Sequence, residues 1–189
     1  LEASAGASSA YTAAPLGITL SLGEQSREVY NEWKKAGAHR YLLRIEASNR
    51  ELYGKIHPSG SIGERQMHSY DSRMAALCDL KSAGFITGSG VMIGLPFQTP
   101  ENLDEDLAFF KKFGVDMVGM GPYIPHKDSP LGRMVLEAQA KGTTVVKDTN
   151  GNDVDLGPFA LMSDKDKLDL SIDMVRRLRR LMPHINIAA

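Results

Sequence analysis

Short β-branched or apolar runs alternate along the chain with longer stretches of helical period. A strand repeats its buried face every two residues and a helix about every 3.6, so the two are separable by eye. Ile18 to Leu22 (ITLSL) predicts a strand, and Ser26 to Ala36 a helix ended by Gly37. Arg40 to Glu46 (RYLLRIE) predicts the next strand, followed by a short helix from Asn49 to Ile56 that stops near Pro58. His57 to Met67 is polar and glycine-rich and reads as a loop. Tyr70 to Ser82 predicts a helix closed by Gly84, and Phe85 to Leu95 a strand with a glycine-rich exit. Thr99-Pro100-Glu101-Asn102 combines an N-cap, a proline in the first turn and an early acid, so a helix starts there and runs to Phe113. Met117 to Tyr123 predicts a strand and Leu131 to Ala140 a helix. Ser163 and Asp166 form a loose capping-box variant at the head of a helix to Leu181, and Ile185 to Ala188 begins another strand.

Strand–helix alternation of this kind specifies an α/β class with a parallel sheet. An open doubly wound sheet and a barrel both fit. None of the glycine-rich turns reads GxGxxG at the opening of a helix, which counts against the dinucleotide-binding version. Residues 1–16, rich in Ala, Ser and Gly, read as a disordered lead-in, and residues 17–189 as one domain. Thr143 to Gly157 breaks the rhythm: Asn150-Gly151 between β-prone flanks reads as a hairpin inserted at the rim, or as a flexible loop. The stop at Ala189, just inside a strand, suggests a fragment.

Composition narrows the function classes. A formal net charge of -1 offers no electrostatic reason to expect nucleic acid or an anionic membrane. No apolar run approaches the roughly 20 residues of a membrane-spanning helix. Cys78 is the only cysteine, so no disulfide forms within the chain, and a reducing compartment, the cytoplasm or a plastid stroma, is expected. A lone thiol cannot hold an iron–sulfur cluster. Cys78 lies in an amphipathic helix pattern and is expected to be a small buried apolar residue.

Candidate chemistry concentrates at strand ends. In RYLLRIE, Leu42, Arg44 and Glu46 share one face and apolar Tyr41, Leu43 and Ile45 the other. A guanidinium and a carboxylate thus sit together at the C-terminal end of a strand, where barrel active sites lie; a lumen-filling ion pair is the alternative. Gly88, Gly90 and Gly94 strip side chains from an apolar strand, which suits close approach of a ligand or of another backbone. Gly119 and Gly121 repeat the theme on the next strand. Met117 and Met120 there are either adenine contacts or ordinary core. Arg73 opens a helix, where the macrodipole does not favour a cation, so it is either solvated or aimed at a carboxylate. The histidines 39, 57, 68, 126 and 184 show no zinc spacing.

Taken in order, ITLSLGE, YLLRIE, LK-x-x-GF-x-TGSGVMIGLP-x-QT and DMVGMGPYIPH-x-DSPL resemble the radical S-adenosylmethionine (SAM) maturases of iron-only hydrogenase, sisters of biotin synthase and methylornithine synthase. The resemblance runs from about Ile18 to Leu131 and resumes near Ser163. It implies a partial (β/α)8 TIM-type barrel, with this chain supplying strands four to the start of eight. The family's cofactors are SAM and a [4Fe–4S] cluster held by CxxxCxxC, a motif this chain lacks. The partners implied are SAM, an iron–cysteine-type precursor of the di-iron site, and other hydrogenase maturation proteins, with no nucleic acid and no membrane. This chain alone is expected to be inactive.

By resemblance, Arg44 and Glu46 match the family's charged pair near SAM, and Arg73 the arginine that binds the SAM carboxylate. Met92 and Met117 match residues lining the adenosyl pocket, and Ile124 an adenine contact. Ile45 stands where the family usually has His, and Phe97 where LPGQT has Gly.

Overall fold

A computed structural model describes residues 17–57, 60–62 and 65–188. The predicted lead-in lies outside the described residues.

The elements run β1 (Thr19–Leu20), α1 (Arg27–Lys35), β2 (Arg40–Leu42), α2 (Arg50–Ile56), β3 (Gly60–Ile62), β4 (Arg65–Met67), α3 (Tyr70–Ser82), β5 (Ile86–Ile93), α4 (Pro100–Phe113), β6 (Met117–Pro122), α5 (Pro130–Lys141), β7 (Val145–Lys147), β8 (Asp153–Asp155), a 3-10 turn at Pro158–Leu161, α6 (Asp164–Leu181) and β9 (Asn186–Ala188). Each α-helix starts where a side-chain oxygen takes an otherwise orphaned backbone N–H: Ser26, Asn49, Ser69, Thr99, Ser129 and Ser163 all cap this way. At Thr99 the Asn102 side chain returns the bond, completing a capping box.

The main sheet orders its strands β1-β2-β5-β6-β9, every pair parallel. Strand order follows chain order without the reversal that defines a doubly wound sheet, which settles that alternative. Residues of α1, α3, α4 and α6 pack against one and the same face of this sheet, as crossovers of a single hand require. The opposite face is left as a lumen, so the architecture is a partial (β/α) barrel. β3 with β4 and β7 with β8 form two separate antiparallel hairpins.

The helix-facing side of the sheet makes the core. Tyr41, Leu43, Ile45, Val91, Ile93, Val118 and Met120 pack there against Tyr30, Leu77, Leu80, Phe110, Met174 and Leu178. Tyr41 is fully buried; its hydroxyl donates to the Gly23 carbonyl at 2.8 Å, and burial pushes its pKa up to about 12. A second cluster, Val135, Ala138, Val146, Leu156 and Ala160, seats the β7–β8 hairpin on α5.

Three expectations are corrected. The polar segment after His57 contains a hairpin, β3 with β4, because strands of three residues are too short for alternation to register. Cys78 is exposed: α3 buries Arg73, Ala76, Leu77 and Leu80, an i, i+3, i+4, i+7 stripe from which Cys78 is rotated away. The strand expected to run to Glu46 keeps regular pairing only to Leu42. From Leu42 to Glu46 the chain advances four residues while its partner advances three, Gly88 to Val91. One extra residue in one strand is a β-bulge, a feature common beside functional sites.

Candidate functional site

The lumen face is built in three rows across β2, β5 and β6. Leu42 lies beside Gly88 and Gly88 beside Met117; a methyl group at Gly88 would meet Met117 Cε at 2.6 Å and Leu42 Cδ1 at 3.1 Å. In the second row the Arg44 side chain lies across Gly90 and Gly119. A Cβ at Gly90 would stand 2.3 Å from the Gly119 carbonyl oxygen and 3.3 Å from Arg44 Cγ. The missing side chains are therefore what let the two strands close and the guanidinium lie flat. The third row carries Glu46, Met92 and Gly121, with Met92 in register with Gly121 and open space over Gly121.

Arg44 Nε donates to both Glu46 oxygens at 3.1 Å, and Nη2 to the Val91 carbonyl at 2.8 Å. The two side chains keep 33% and 21% of their exposure, so the pair is a rim feature open to a ligand rather than a sealed core pair. Glu46 has φ 65°. A left-handed conformation at a non-glycine costs roughly 1–2 kcal/mol and persists only where surrounding contacts enforce it.

Those contacts follow from the bulge. The Ile45 N–H, left off the ladder, donates to Ser89 Oγ at 3.1 Å, which explains a fully buried serine. The Arg44 carbonyl accepts from Arg73 Nη1. Arg73 is 7% exposed, so its solvated reading is overturned. The carboxylate it meets is that of Glu24, 2.6 Å from Nε, while Nη2 lies 3.4 Å from His57 Nε2. Glu24 also accepts from the His68 N–H and the Ser72 hydroxyl. Burial raises the Glu24 pKa, but the Arg73, His68 and Ser72 hydrogen bonds and the Arg73 charge together hold it below the usual value.

The predicted residues thus divide. Arg44, Glu46, Met92 and Met117 share the lumen face within three adjacent strands. Arg73 reaches the same strand from behind, through the Arg44 carbonyl. Ile124 lies beyond β6 at the open end, 58% exposed. Met120, offered with Met117 as an alternative contact, is core.

Several buried polar residues around the site escaped the sequence reading. Glu24 sits in ITLSLGE at a strand exit, a placement that could have pointed to it. Gln98 is 1% exposed; its Oε1 accepts from the Gly94 and Leu95 N–H groups at 2.8 and 3.1 Å, and its Nε2 donates to the Met92 carbonyl, fixing the GLPFQT turn. In that turn Phe97 has φ 65°, a conformation that suits the Gly usual in the resembled motif. Lys167 is fully buried, its stem against Gly94 and its Nζ donating to the Tyr123 carbonyl at 3.3 Å; burial lowers its pKa, against the nearby Asp164 charge. In DKDKLDL it reads as one more solvated lysine.

The residues present fit one cofactor and not the other. Bare glycines, two methionines and a rim ion pair suit a flat nucleoside with a charged tail. A [4Fe–4S] cluster needs several thiolates. The chain has one cysteine, on the outer face of α3, and no group of three or more metal-ligating side chains gathers among the described residues. A surface groove of about 900 Å³ lies elsewhere, between α4 and α6 near Leu107 and Arg177. An open partial barrel presents its lumen as a trough, not as an enclosed cavity.

No family model matches the chain. Over 114 residues it is 49% identical to the [FeFe] hydrogenase maturase subunit HydE of Thermotoga maritima, covering 60% of this chain and 30% of HydE. It is 30% identical over 112 residues to a biotin synthase of Rippkaea orientalis, covering 59% of this chain and 28% of the synthase. The solved structure of Methanocaldococcus infernus Elp3 lacking its N-terminal residues 1–46 superposes with a TM-score of 0.61 at 18% identity, over 91% of this chain and 34% of that one, a likeness of fold. The chain therefore spans about a third or less of each of these three proteins, and in sequence it is similar to the hydrogenase maturase HydE and to a biotin synthase.

Proposed function

We propose that this chain forms one wall of the SAM site of a radical SAM enzyme that assembles the di-iron centre of [FeFe] hydrogenase. The observation that carries the proposal is the row of Arg44 over Gly90 and Gly119, with Glu46 and Met92 beside it. Arg44 and Glu46 would hold the charged and hydroxylated parts of the nucleoside. Met92 and Met117 would pack its base, and Ile124 would cover it from the exit loop. Arg73 would set the Arg44 backbone; a ligand carboxylate at Arg73 would have to share the guanidinium with Glu24. The described residues offer no ligand set for the family's [4Fe–4S] cluster, which would be held outside this chain and would supply reducing electrons there. The iron–cysteine-type precursor and other maturation proteins would be the partners of that whole enzyme. A biotin-synthase-like chemistry on the same wall is the second reading, favoured by the 30% identity to that synthase.

The test is calorimetric titration of the 189-residue chain with S-adenosylhomocysteine, which is not cleaved. Saturable binding is expected, weakened at least tenfold by Arg44→Lys, because lysine cannot reproduce the fork to Glu46 and Val91. No binding, or equal binding by the variant, would overturn the reading. Iron analysis after anaerobic reconstitution is expected to give less than one iron per chain.

A further inference from the structure

We propose that Asp106 is a positioning residue for the Arg44–Glu46 pair: its buried carboxylate fixes Ser48 and, through it, the left-handed turn at Glu46. The inference rests on the site reading above and adds a residue on an outer helix to it.

Asp106 is 1% exposed and lies on the core side of α4. Its Oδ1 accepts two bonds from one residue, the Ser48 N–H at 2.8 Å and the Ser48 hydroxyl at 2.6 Å. Its Oδ2 is buried with no hydrogen-bond partner among the described residues. A carboxylate so placed is costly, and two donors on a single oxygen are its compensation. The far side of Ser48 is held as well, its carbonyl accepting from the Tyr70 hydroxyl at 2.9 Å. Ser48 is thus gripped at its N–H, hydroxyl and carbonyl by α4 and α3.

The grip matters because of where it lies. Glu46 is bonded to β5 on both sides, its N–H donating to the Gly90 carbonyl and its carbonyl accepting from the Met92 N–H. Its positive φ must be absorbed immediately afterwards, and Ala47, fully buried, leads straight to Ser48. Asn49 then caps α2. The chain therefore passes from the strained site residue to a helix start within three residues, with Asp106 holding the middle.

The groups bearing on Asp106 come from three directions. Ser48 faces it from the β2–α2 turn. Glu105 is its neighbour on α4, and Tyr70 faces the same serine from α3. Arg50, stacked on Tyr70, is already paired with Asp71. Burial, against the two Ser48 hydrogen bonds and aided by the Glu105 charge, pushes the Asp106 pKa up to about 7. Its folded value lies above the ordinary 3.8, so above pH 7 the carboxylate holds Ser48 with charge-assisted bonds. As pH falls through about 7 those bonds become neutral and weaken.

The first measurement uses the unmodified chain and needs no ligand. The Ser48 and Glu46 amide resonances are followed by NMR from pH 5 to 9. Both are expected to titrate with a common midpoint near 7, and both inflections to vanish in Asp106→Asn. Titration of Ser48 without Glu46 would show that Asp106 holds its partner but does not position the site, and overturns the proposal, as does the absence of any inflection between pH 6 and 8. The second measurement is S-adenosylhomocysteine affinity over the same range. It is expected to fall about tenfold between pH 8 and pH 6, with Asp106→Asn fixed at the weak limit and Ser48→Ala between the two. A variant that keeps the wild-type pH profile overturns the proposal. If the unmodified chain binds no ligand at any pH, the site reading fails, and the paired amide titration alone decides whether Asp106 governs Glu46.

Discussion

Replacing Arg73 by methionine tests what the buried ion pair contributes. The change keeps an unbranched apolar stem but removes the guanidinium paired with Glu24, whose side chain is 1% exposed. It also leaves the Arg44 carbonyl, already off the ladder, without its donor. Removing one partner of a buried pair costs roughly 3–5 kcal/mol, because the other charge stays desolvated. Against the 5–15 kcal/mol of a typical domain, that is a large part of the total. Glu24→Gln with Arg73→Met removes both charges and is expected to recover about 1–3 kcal/mol, a coupling measurable by a double-mutant cycle. The sign with pH is specific. In the unmodified chain the Glu24 pKa is depressed below its ordinary 4.5, so its stabilisation is present above that value and lost as pH falls through the lower folded one. In Arg73→Met the Arg73 hydrogen bond and charge are gone while desolvation, the largest single influence on Glu24, remains, so the folded pKa is expected to rise. The penalty is then full at pH 7 and shrinks as pH falls toward 4.5. Urea unfolding at pH 7 and pH 5, read as the difference from the unmodified chain, measures both. A loss under about 1 kcal/mol at pH 7, or a loss that does not shrink at pH 5, would refute the assignment of Arg73 as the internal counterion.

Three further outcomes are expected. Gly90→Ala drives a methyl group to 2.3 Å from the Gly119 carbonyl, a backbone atom that cannot rotate aside, and should destabilise by roughly 2–3 kcal/mol in urea unfolding. Gly121→Ala, with nothing within 4 Å, should change stability by less than about 0.5 kcal/mol while weakening S-adenosylhomocysteine binding if the open space over Gly121 is ligand space. Gln98→Ala strands the Gly94 and Leu95 N–H groups and should cost about 1–3 kcal/mol, read by the shift in the denaturation midpoint.

Local signals carried a long way here. The helix α3 matches its expected bounds, and Ser26, Asn49, Thr99 and Ser163 cap the helices they were expected to start, because a cap is decided by one side chain and the two or three residues after it. The split of RYLLRIE into an apolar face and a face carrying Leu42, Arg44 and Glu46 was equally legible, since period two needs no knowledge of partners. What failed did so for want of neighbours. Cys78 looks apolar and inward until the α3 stripe is seen to pass beside it.

From the sequence alone came the alternation that makes the class α/β, the glycine-bared strands, and the motif order that points to the hydrogenase maturases. Each is a property of residues close together along the chain. Only the tertiary structure decided that the sheet runs in unreversed order, and that a bulge between Leu42 and Glu46 frees the Arg44 carbonyl for Arg73. It likewise decided that Glu24, Gln98, Asp106 and Lys167 are buried. A charged or polar side chain left to itself favours water; whether it is held inside depends on which distant groups the fold brings to pair with it.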